Sequence, residues 1–174
     1  MYYSKVTKAA SMRIIKEILS VKQAVIFLCA IFLFSSCRNI DLFEKNTPIP
    51  GYNWKTAYPV TGNFTITDTV SAYHIYIVLR HTDAYNYNNI WLNAGLQAPG
   101  DTLVSQNINL SLGNDATGWE GVGMNDIWEV RKRVTAVPTR FKMTGEYRFN
   151  ITHIMRDDPL PHIMSVGLRL EKLP

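Results

Sequence analysis

Six segments of this chain alternate apolar and polar side chains with a period of two, and this pattern constrains the fold more than any other feature. Successive side chains of a β-strand point to opposite faces, so a strand with one buried face alternates in this way. Turn-forming sequences, such as Thr144-Gly145, separate the segments. The pattern therefore predicts half-buried strands joined by turns. The apolar members of the segments are Phe64 and Ile66; Tyr73, Ile75, Ile77 and Leu79; Ile90, Leu92 and Ala94; Ile108, Leu110 and Leu112; Tyr147, Phe149 and Ile151; and Val166, Leu168 and Leu170.

The order of these segments favours one fold class. Beyond the N-terminal region only residues 125–134 look helical, and they are too few for the strand–helix–strand rhythm of a parallel sheet. Strands that follow one another through short turns pair antiparallel and pack as two sheets face to face. We therefore expect an all-β domain: a two-sheet antiparallel β-sandwich, jelly-roll-like, at residues 59–174.

The N-terminus has the features of an export signal. Residues 1–22 are basic and polar, and residues 24–34 form an uninterrupted apolar run of 11 residues. As a helix that run rises roughly 16 Å, about half of a bilayer core, which is too short for a permanent membrane span. A cationic segment, a short apolar segment and small residues together predict a signal peptide.

The signal ends in Leu33-Phe34-Ser35-Ser36-Cys37, which resembles the lipobox of bacterial lipoproteins. In a lipobox the cysteine thiol receives a diacylglyceryl group and the preceding peptide is removed. We therefore predict a signal peptide at residues 1–36 and lipidation at Cys37, which makes the membrane a partner through the lipid anchor. The signal that retains lipoproteins in the inner membrane has Asp directly after the cysteine, and this chain has Arg38 there. We therefore expect anchoring in the outer membrane, facing the periplasm. Residues 37–58 contain three prolines within or next to them and little periodicity, so we interpret them as a lipidated tether.

The charge distribution argues against nucleic-acid binding. The whole chain has a formal net charge of +4, but from residue 37 onward there are 13 Lys or Arg and 13 Asp or Glu. Binding to nucleic acid requires a surplus of basic residues that neutralises phosphates. The basic character belongs to the signal region, and we expect no nucleic-acid partner.

Catalytic and metal-binding motifs are missing from the sequence. It has no nucleophile elbow, no glycine-rich phosphate loop and no paired-cysteine metal site. The four histidines are scattered along the chain without the spacing of a zinc site. We therefore expect no enzyme activity, no cofactor and no metal.

Aromatic side chains are the most informative candidates for binding. Tyr85, Tyr87 and Trp91 alternate with asparagines, and Trp119 and Trp128 bracket a second loop. Three interpretations remain open: the rings belong to the core, they form a protein interface, or they stack on sugar rings while the amides bind hydroxyl groups.

The order of short motifs in the mature chain is similar to that of the GldH family of gliding-motility lipoproteins. That resemblance implies a non-enzymatic accessory lipoprotein of the envelope machinery for gliding and type IX secretion, with envelope proteins of that machinery as partners. It supplies no catalytic residue. The chain departs from the family at Trp128 and in the basic run Arg131–Arg133, and Arg131 joins the five aromatic residues as a candidate interface residue. The motifs are the lipobox; Tyr73-x-Ile75-Tyr76-Ile77-x-Leu79-Arg80-x-Thr82-x-x-Tyr85-x-Tyr87-x-Asn89-Ile90-Trp91-Leu92; Asp101-Thr102-Leu103; Gly118-Trp119-x-Gly121-x-Gly123-x-x-Asp126-Ile127-x-x-x-Arg131; Gly145-x-Tyr147-x-Phe149; and Met155-Arg156-x-x-Pro159-Leu160, with Val166-Gly167-Leu168-Arg169 near the end.

Two further expectations concern small groups of residues. Asp68-Thr69-Val70 and Asp101-Thr102-Leu103 resemble sites of periplasmic O-glycosylation at Thr69 and Thr102, with simple Asp-Thr turns as the alternative. Among the glycines, Gly121, Gly123 and Gly167 are expected where the backbone has positive φ or a close neighbour. The alternative function to machinery assembly is that of a glycan-binding lipoprotein of the cell envelope.

Overall fold

The computed structural model describes residues 42–173. The predicted signal peptide at 1–36 and the lipidation site at Cys37 lie outside these residues. Within them, no helix is long and apolar enough to cross a membrane. The single helical element among residues 42–173 is a short 3-10 helix, Pro50–Tyr52.

The described chain is otherwise built from strands. The long ones are β1 (Leu42–Pro48), β3 (Val60–Ile66), β4 (Tyr73–Thr82), β5 (Asn89–Gln97), β6 (Leu103–Ser111), β10 (Ile127–Arg133), β11 (Gly145–His153) and β13 (Ile163–Lys172). The short ones are β2 (Asn53–Trp54), β7 (Gly113–Asn114), β8 (Gly118–Trp119), β9 (Val122–Met124) and β12 (Leu160–Pro161).

The strands form two main antiparallel sheets. One has the order β1-β13-β4-β10-β9 and the other the order β3-β11-β5-β6, while β2 pairs with β12 and β7 with β8. The eight long strands divide four and four between the sheets, and this interleaved order is that of a jelly roll. The predicted all-β, jelly-roll-like sandwich is confirmed.

The core lies between the two sheets, on the faces that the alternation predicted. In β4 the side chains of Tyr73, Ile75, Ile77 and Leu79 are all at most 8% exposed. From the opposite sheet, Phe64 stacks on Tyr147 with ring centroids 5.5 Å apart. Each fully buried large apolar side chain stabilises the fold by about 1.5–3 kcal/mol, so the alternation accounts for most of the driving force.

The predicted tether at residues 37–58 is wrong for the part that the structure describes. β1 pairs with β13 along its whole length, from Leu42 opposite Glu171 to Pro48 opposite Ser165. Beyond it Ile49 and Trp54 are 2% and 0% exposed. The prolines do not mark a spacer, because Pro48 ends an edge strand, where a missing N–H is tolerated. The folded domain therefore begins by Leu42 and not at residue 59.

The predicted helical character of residues 125–134 is also wrong. Ile127–Arg133 is a strand that pairs with β4 on one side and with β9 on the other. Its period of two is concealed because Lys132 takes an inward position, where its ammonium pairs with Glu120. Tertiary pairing thus overrides a weak local preference.

Ion pairs of Arg169 join two strands. The Arg169 guanidinium of β13 lies 2.7 Å from the Glu44 carboxylate of β1 and 2.6 Å from that of Glu171. The Arg169 side chain is only 14% exposed, so this pair is screened less than an ordinary surface pair. It fixes the edge strand β1 against the sheet.

Candidate functional site

Two of the predicted aromatic contact residues pack into one end of the sandwich. Tyr85 is 4% exposed, and its hydroxyl donates a hydrogen bond to the Asn89 carbonyl oxygen at 3.2 Å. The Trp119 ring lies edge-on to the buried His81 ring, with centroids 4.6 Å apart. Burial raises the pKa of Tyr85 well above its ordinary value. Of the three interpretations left open for the rings, the structure supports the core for Tyr85, because its ring is buried.

Tyr87 connects two loops. It is partly buried, its ring lies edge-on to Tyr85 at 5.7 Å, and its hydroxyl donates a hydrogen bond to Asp157 Oδ2 at 2.5 Å. This bond to a carboxylate, reinforced by desolvation, raises the pKa of the Tyr87 hydroxyl. Tyr87 therefore fixes the loop before β5 to the loop after β11.

Among the five aromatic candidates, Trp91 is the one that faces solvent. It is 43% exposed on the outer face of the four-stranded sheet. Amide pairs flank it: Asn89 donates to Asn109 and Asn93 donates to Asn107, each at 2.8 Å between β5 and β6. The result is a flat polar face with one large exposed ring.

Two buried histidines lie at this end of the sandwich. His81 and His153 are both 0% exposed. His81 Nδ1 lies 2.8 Å from the Thr82 carbonyl oxygen, and His153 Nε2 lies 3.3 Å from the Thr56 hydroxyl. Burial lowers the pKa of both imidazoles below their ordinary value, more than the Thr82 carbonyl or the nearby Asp158 carboxylate raises it.

Because of these two histidines, we expect the free energy of unfolding to depend on pH. Since the pKa of each is lower in the folded state, the unfolded chain binds more protons as the pH falls below about 6.5. The free energy of unfolding is therefore expected to decrease from pH 7.5 to pH 5, above the range where ordinary carboxyl groups titrate. Urea unfolding at the two pH values measures this. A His81→Gln variant, measured in the same way, loses part of the dependence; equal urea midpoints for the wild type at both pH values contradict it.

A groove on the outer face of the five-stranded sheet is a candidate binding site. It has a volume of about 550 Å³ and lies over β4, β9 and β10. In its lining, the Glu129 carboxylate of β10 accepts hydrogen bonds from two arginines: it lies 2.6 Å from the guanidinium of Arg80 in β4 and 2.8 Å from that of Arg131, two residues further along β10. Both arginine side chains are about half exposed, so they remain accessible to a partner. We call this surface the β9 groove.

Exposed apolar side chains border the β9 groove. Val122 and Met124 are 77% and 73% exposed, although they lie on a paired strand. Between them Gly123 lies under the Trp128 ring, where a Cβ would come within 2.8 Å of it. Gly121 has φ +93° and lies against the backbone of Glu129, whose carbonyl carbon would be 3.0 Å from a Cβ. These two glycines let β9 lie close to β10 and present Val122 and Met124 outward.

The predicted interface residues do not form one site. Arg131 lines the β9 groove and Trp128 supports it from the other side of β9, whereas Tyr85, Tyr87 and Trp119 belong to the buried cluster and Trp91 to another sheet. Val122 and Met124 were not among the predicted interface residues. The signal for them in the sequence is weak: two apolar residues with a spacing of two, separated by Gly123.

The chemistry that this groove supports is recognition. Apolar side chains, methionine and arginine are enriched where proteins bind proteins. Exposed ion pairs such as those of Glu129 add only about 0–1 kcal/mol each to the stability of the fold. Their main effect is to hold the two guanidinium groups in fixed positions in the groove. Within residues 42–173, no group of three or more His, Cys, Asp or Glu side chains is placed to hold a metal ion.

The two predicted glycosylation sites lie in loops. Asp68 Oδ1 accepts from the Val70 and Ser71 N–H groups, at 2.8 and 3.1 Å. Hydrogen bonding, first from the Ser71 hydroxyl, lowers the pKa of Asp68 well below its ordinary value. Asp101 Oδ1 accepts from the Thr102 N–H at 2.8 Å. This geometry matches the turn-forming alternative, and modification of Thr69 and Thr102 stays a prediction.

A known protein family matches nearly the whole described domain. The family model for the GldH lipoprotein matches residues 41–170. The chain belongs to the GldH lipoprotein family. The family match begins at residue 41, next to the first described strand, and so includes most of the predicted tether at residues 37–58.

Curated relatives agree with the family. The chain is 26% identical over 154 residues to the "Gliding motility lipoprotein GldH homolog" of Christiangramia forsetii, covering 84% of this chain and 93% of the relative. It is 25% identical over 159 residues to the "Gliding motility lipoprotein GldH" of Flavobacterium johnsoniae, covering 87% and 98%. A structure titled "Crystal structure of infectious bursal disease virus VP2 subviral particle" aligns with 77% of this chain and 31% of its own, at a TM-score of 0.31 and 14% identity.

Proposed function

We propose that this GldH-family lipoprotein is a non-enzymatic accessory component of the gliding-motility and type IX secretion machinery. In this proposal Cys37 carries the lipid that anchors it in the outer membrane, and the domain faces the periplasm. It binds envelope proteins of the machinery through the β9 groove. The names of its relatives support the motility role.

The observation that carries the docking role is the exposure of Val122 and Met124 beside the Arg80–Glu129–Arg131 centre. Isolated exposed apolar residues are common, but here two of them line the same 550 Å³ groove as two accessible guanidinium groups. That combination of an apolar border and a polar, orienting centre is typical of a protein interface.

Complementation of a deletion strain tests the groove. Deleting the gene is expected to stop spreading on agar, and the wild-type gene to restore it. Val122→Glu is expected to fail to restore spreading, because a desolvated carboxylate in the interface costs about 2 kcal/mol or more, roughly a 30-fold weaker complex. Tyr58→Glu is the control, since Tyr58 is 42% exposed in a loop and does not line the groove. Spreading restored equally by both variants contradicts the groove as the docking site.

A second candidate function, glycan binding, is favoured by Trp91 and its flanking amide pairs. An exposed ring can stack on a sugar ring while Asn93 and Asn109 are close enough to bind hydroxyl groups. Trp91→Ala in the same complementation series separates the two functions. Docking through the groove predicts that Trp91→Ala restores spreading and Val122→Glu does not, whereas glycan binding predicts the reverse.

A further inference from the structure

The four-stranded sheet ends in a strand with an open edge. β6 pairs with β5 along nine consecutive residues, and no strand within residues 42–173 pairs with its other side. Its sequence, Leu103–Ser111, contains no charge, no proline and no glycine, and its register with β5 has no bulge. Soluble proteins protect exposed edges with such features because bare N–H and C=O groups attract further strands. A long, unprotected edge is what a strand that receives a partner requires.

An apolar cleft opens beside this edge, between the two sheets. Its volume is about 370 Å³, and Ile77, Phe149 and Leu168 line it from the core. Val104 and Ile108 of β6 lie at its mouth, and Val104 is 69% exposed. At the opposite side of the sandwich, Phe43 packs on Phe64 at 5.5 Å, and β1 covers β3. The sandwich is therefore closed along β1 and β3 and open along β6.

The edge and the cleft together select an extended polypeptide as the occupant. The inward positions of β6 alternate as Val104, Gln106 and Ile108, and all three line the cleft. A strand added beside β6 satisfies the free backbone groups and points every second side chain into the same cleft. A lipid chain would fill the cleft but leave the N–H and C=O groups of the β6 edge unpaired. It would therefore account for the cleft and not for the edge.

Two cations beside the cleft indicate an acidic partner. Val134, Thr135 and Thr139 line the cleft, and the stretch to which they belong, residues 134–142, contains Arg140 and Lys142 and no acidic residue. Both residues are exposed, and within the described part of the chain neither forms an ion pair. Pairing β6 with β6 of a second copy brings two basic stretches to one seam, where like charges repel. A different protein with an acidic segment does not meet this repulsion.

We propose that β6 docks an extended, acidic segment of another protein, which adds to the four-stranded sheet as a fifth strand and inserts its alternate apolar side chains into the cleft. The proposal goes beyond the function proposed above, because it assigns a second surface and the chemistry of its partner. It does not depend on the β9 groove.

Photo-crosslinking in cells that produce the full lipoprotein tests the proposal. A photoreactive benzoylphenylalanine replaces Val104 at the cleft mouth, and in a control it replaces Thr65, an exposed residue of β3 at the other edge of the same sheet. We expect position 104 to give an adduct at least about tenfold stronger than position 65, as a specific site does over random contact. Mass spectrometry of the adduct is expected to identify one segment of another protein, net acidic and with apolar residues at alternate positions.

Charge reversal and the nature of the adduct decide the outcome. Arg140→Glu with Lys142→Glu is expected to reduce the adduct at position 104 at least about fivefold, and Arg148→Glu, on the outer face of β11, to leave it unchanged. An adduct with a second copy, an adduct with the mass of a lipid, or equal labelling at positions 104 and 65 overturns the proposal.

A Val122→Glu variant distinguishes failure of the β9 groove from failure of the β6 edge. This substitution is expected to leave the adduct at position 104 intact, because Val122 is on the other surface. Circular dichroism of each purified variant checks that it is folded.

Discussion

Trp54→Ala is expected to lower the free energy of unfolding by about 3–5 kcal/mol, a large share of the 5–15 kcal/mol typical of a domain. Trp54 is fully buried, and its ring packs on His153 with centroids 5.1 Å apart. Its indole N–H donates to the Tyr58 carbonyl oxygen at 2.8 Å. The substitution leaves a large cavity and an acceptor without its donor. Urea unfolding of the purified full chain, followed by circular dichroism, measures the loss.

Trp91→Ala is the matched control for this prediction. The same atoms are removed, but Trp91 is 43% exposed on the outer face of the sheet. Trp91→Ala is expected to lower the free energy of unfolding by no more than about 1 kcal/mol, as for most surface substitutions. Equal losses for the two variants contradict the conclusion that residues 42–58 belong to the folded domain, and agree with a tether that contributes nothing to the core.

The sequence was sufficient to predict the fold class because the alternation reports burial directly. In β4, β11 and β13 one face lies against the opposite sheet, so residues such as Ile77, Phe149 and Leu168 recur at every second position. The turns between them carry glycine, proline or aspartate for backbone reasons that are local. Sheet order is not local, and the pairing of β13 with both β1 and β4 required the structure.

The two wrong assignments share a physical cause. β1 has the sequence LFEKNTP, in which a single aromatic ring, Phe43, reaches the Phe64 side chain while the polar residues serve an edge. β10 places Lys132 inward, where only the Glu120 carboxylate makes that position acceptable. In both strands a contact with a residue of another segment makes the position acceptable: Phe64 for β1 and Glu120 for β10. The strand's own sequence therefore lacks the regular apolar positions by which a strand is recognised. Pattern analysis cannot recognise such strands from their own residues.

The candidate site was predictable only in its residue types. Of the six candidate interface residues, Arg131 lines the β9 groove. Which rings face solvent depends on packing between distant loops: the Tyr85 ring contacts Trp119, 34 positions later in the chain. The exposure of Val122 and Met124 likewise follows from the pairing of β9 with β10.

Gly167→Ala is expected to destabilise the domain by about 3 kcal/mol, at the upper end of the range for overpacking. Gly167 lies in β13 opposite Asn46 of β1. A Cβ at Gly167 would come within 2.7 Å of Asn46 Cα, and still closer to the Lys45 carbonyl oxygen. Because these are backbone atoms, no side-chain rotation relieves the contact, and β1 must move away from β13. Hydrogen exchange of the β1 amides is expected to accelerate more than that of β4.

Gly100→Ala separates crowding from the general cost of replacing a glycine. Gly100 has φ +72° and no atom within 4 Å of the position of a Cβ, so alanine there meets only the strain of a left-handed backbone, about 1 kcal/mol. Its effect should be confined to the β5–β6 turn and leave exchange in β1 unchanged. If Gly167→Ala costs no more than Gly100→Ala, β1 is not held at the distance from β13 that the structure gives, and the ion pair of Glu44 with Arg169 would then not fix that edge.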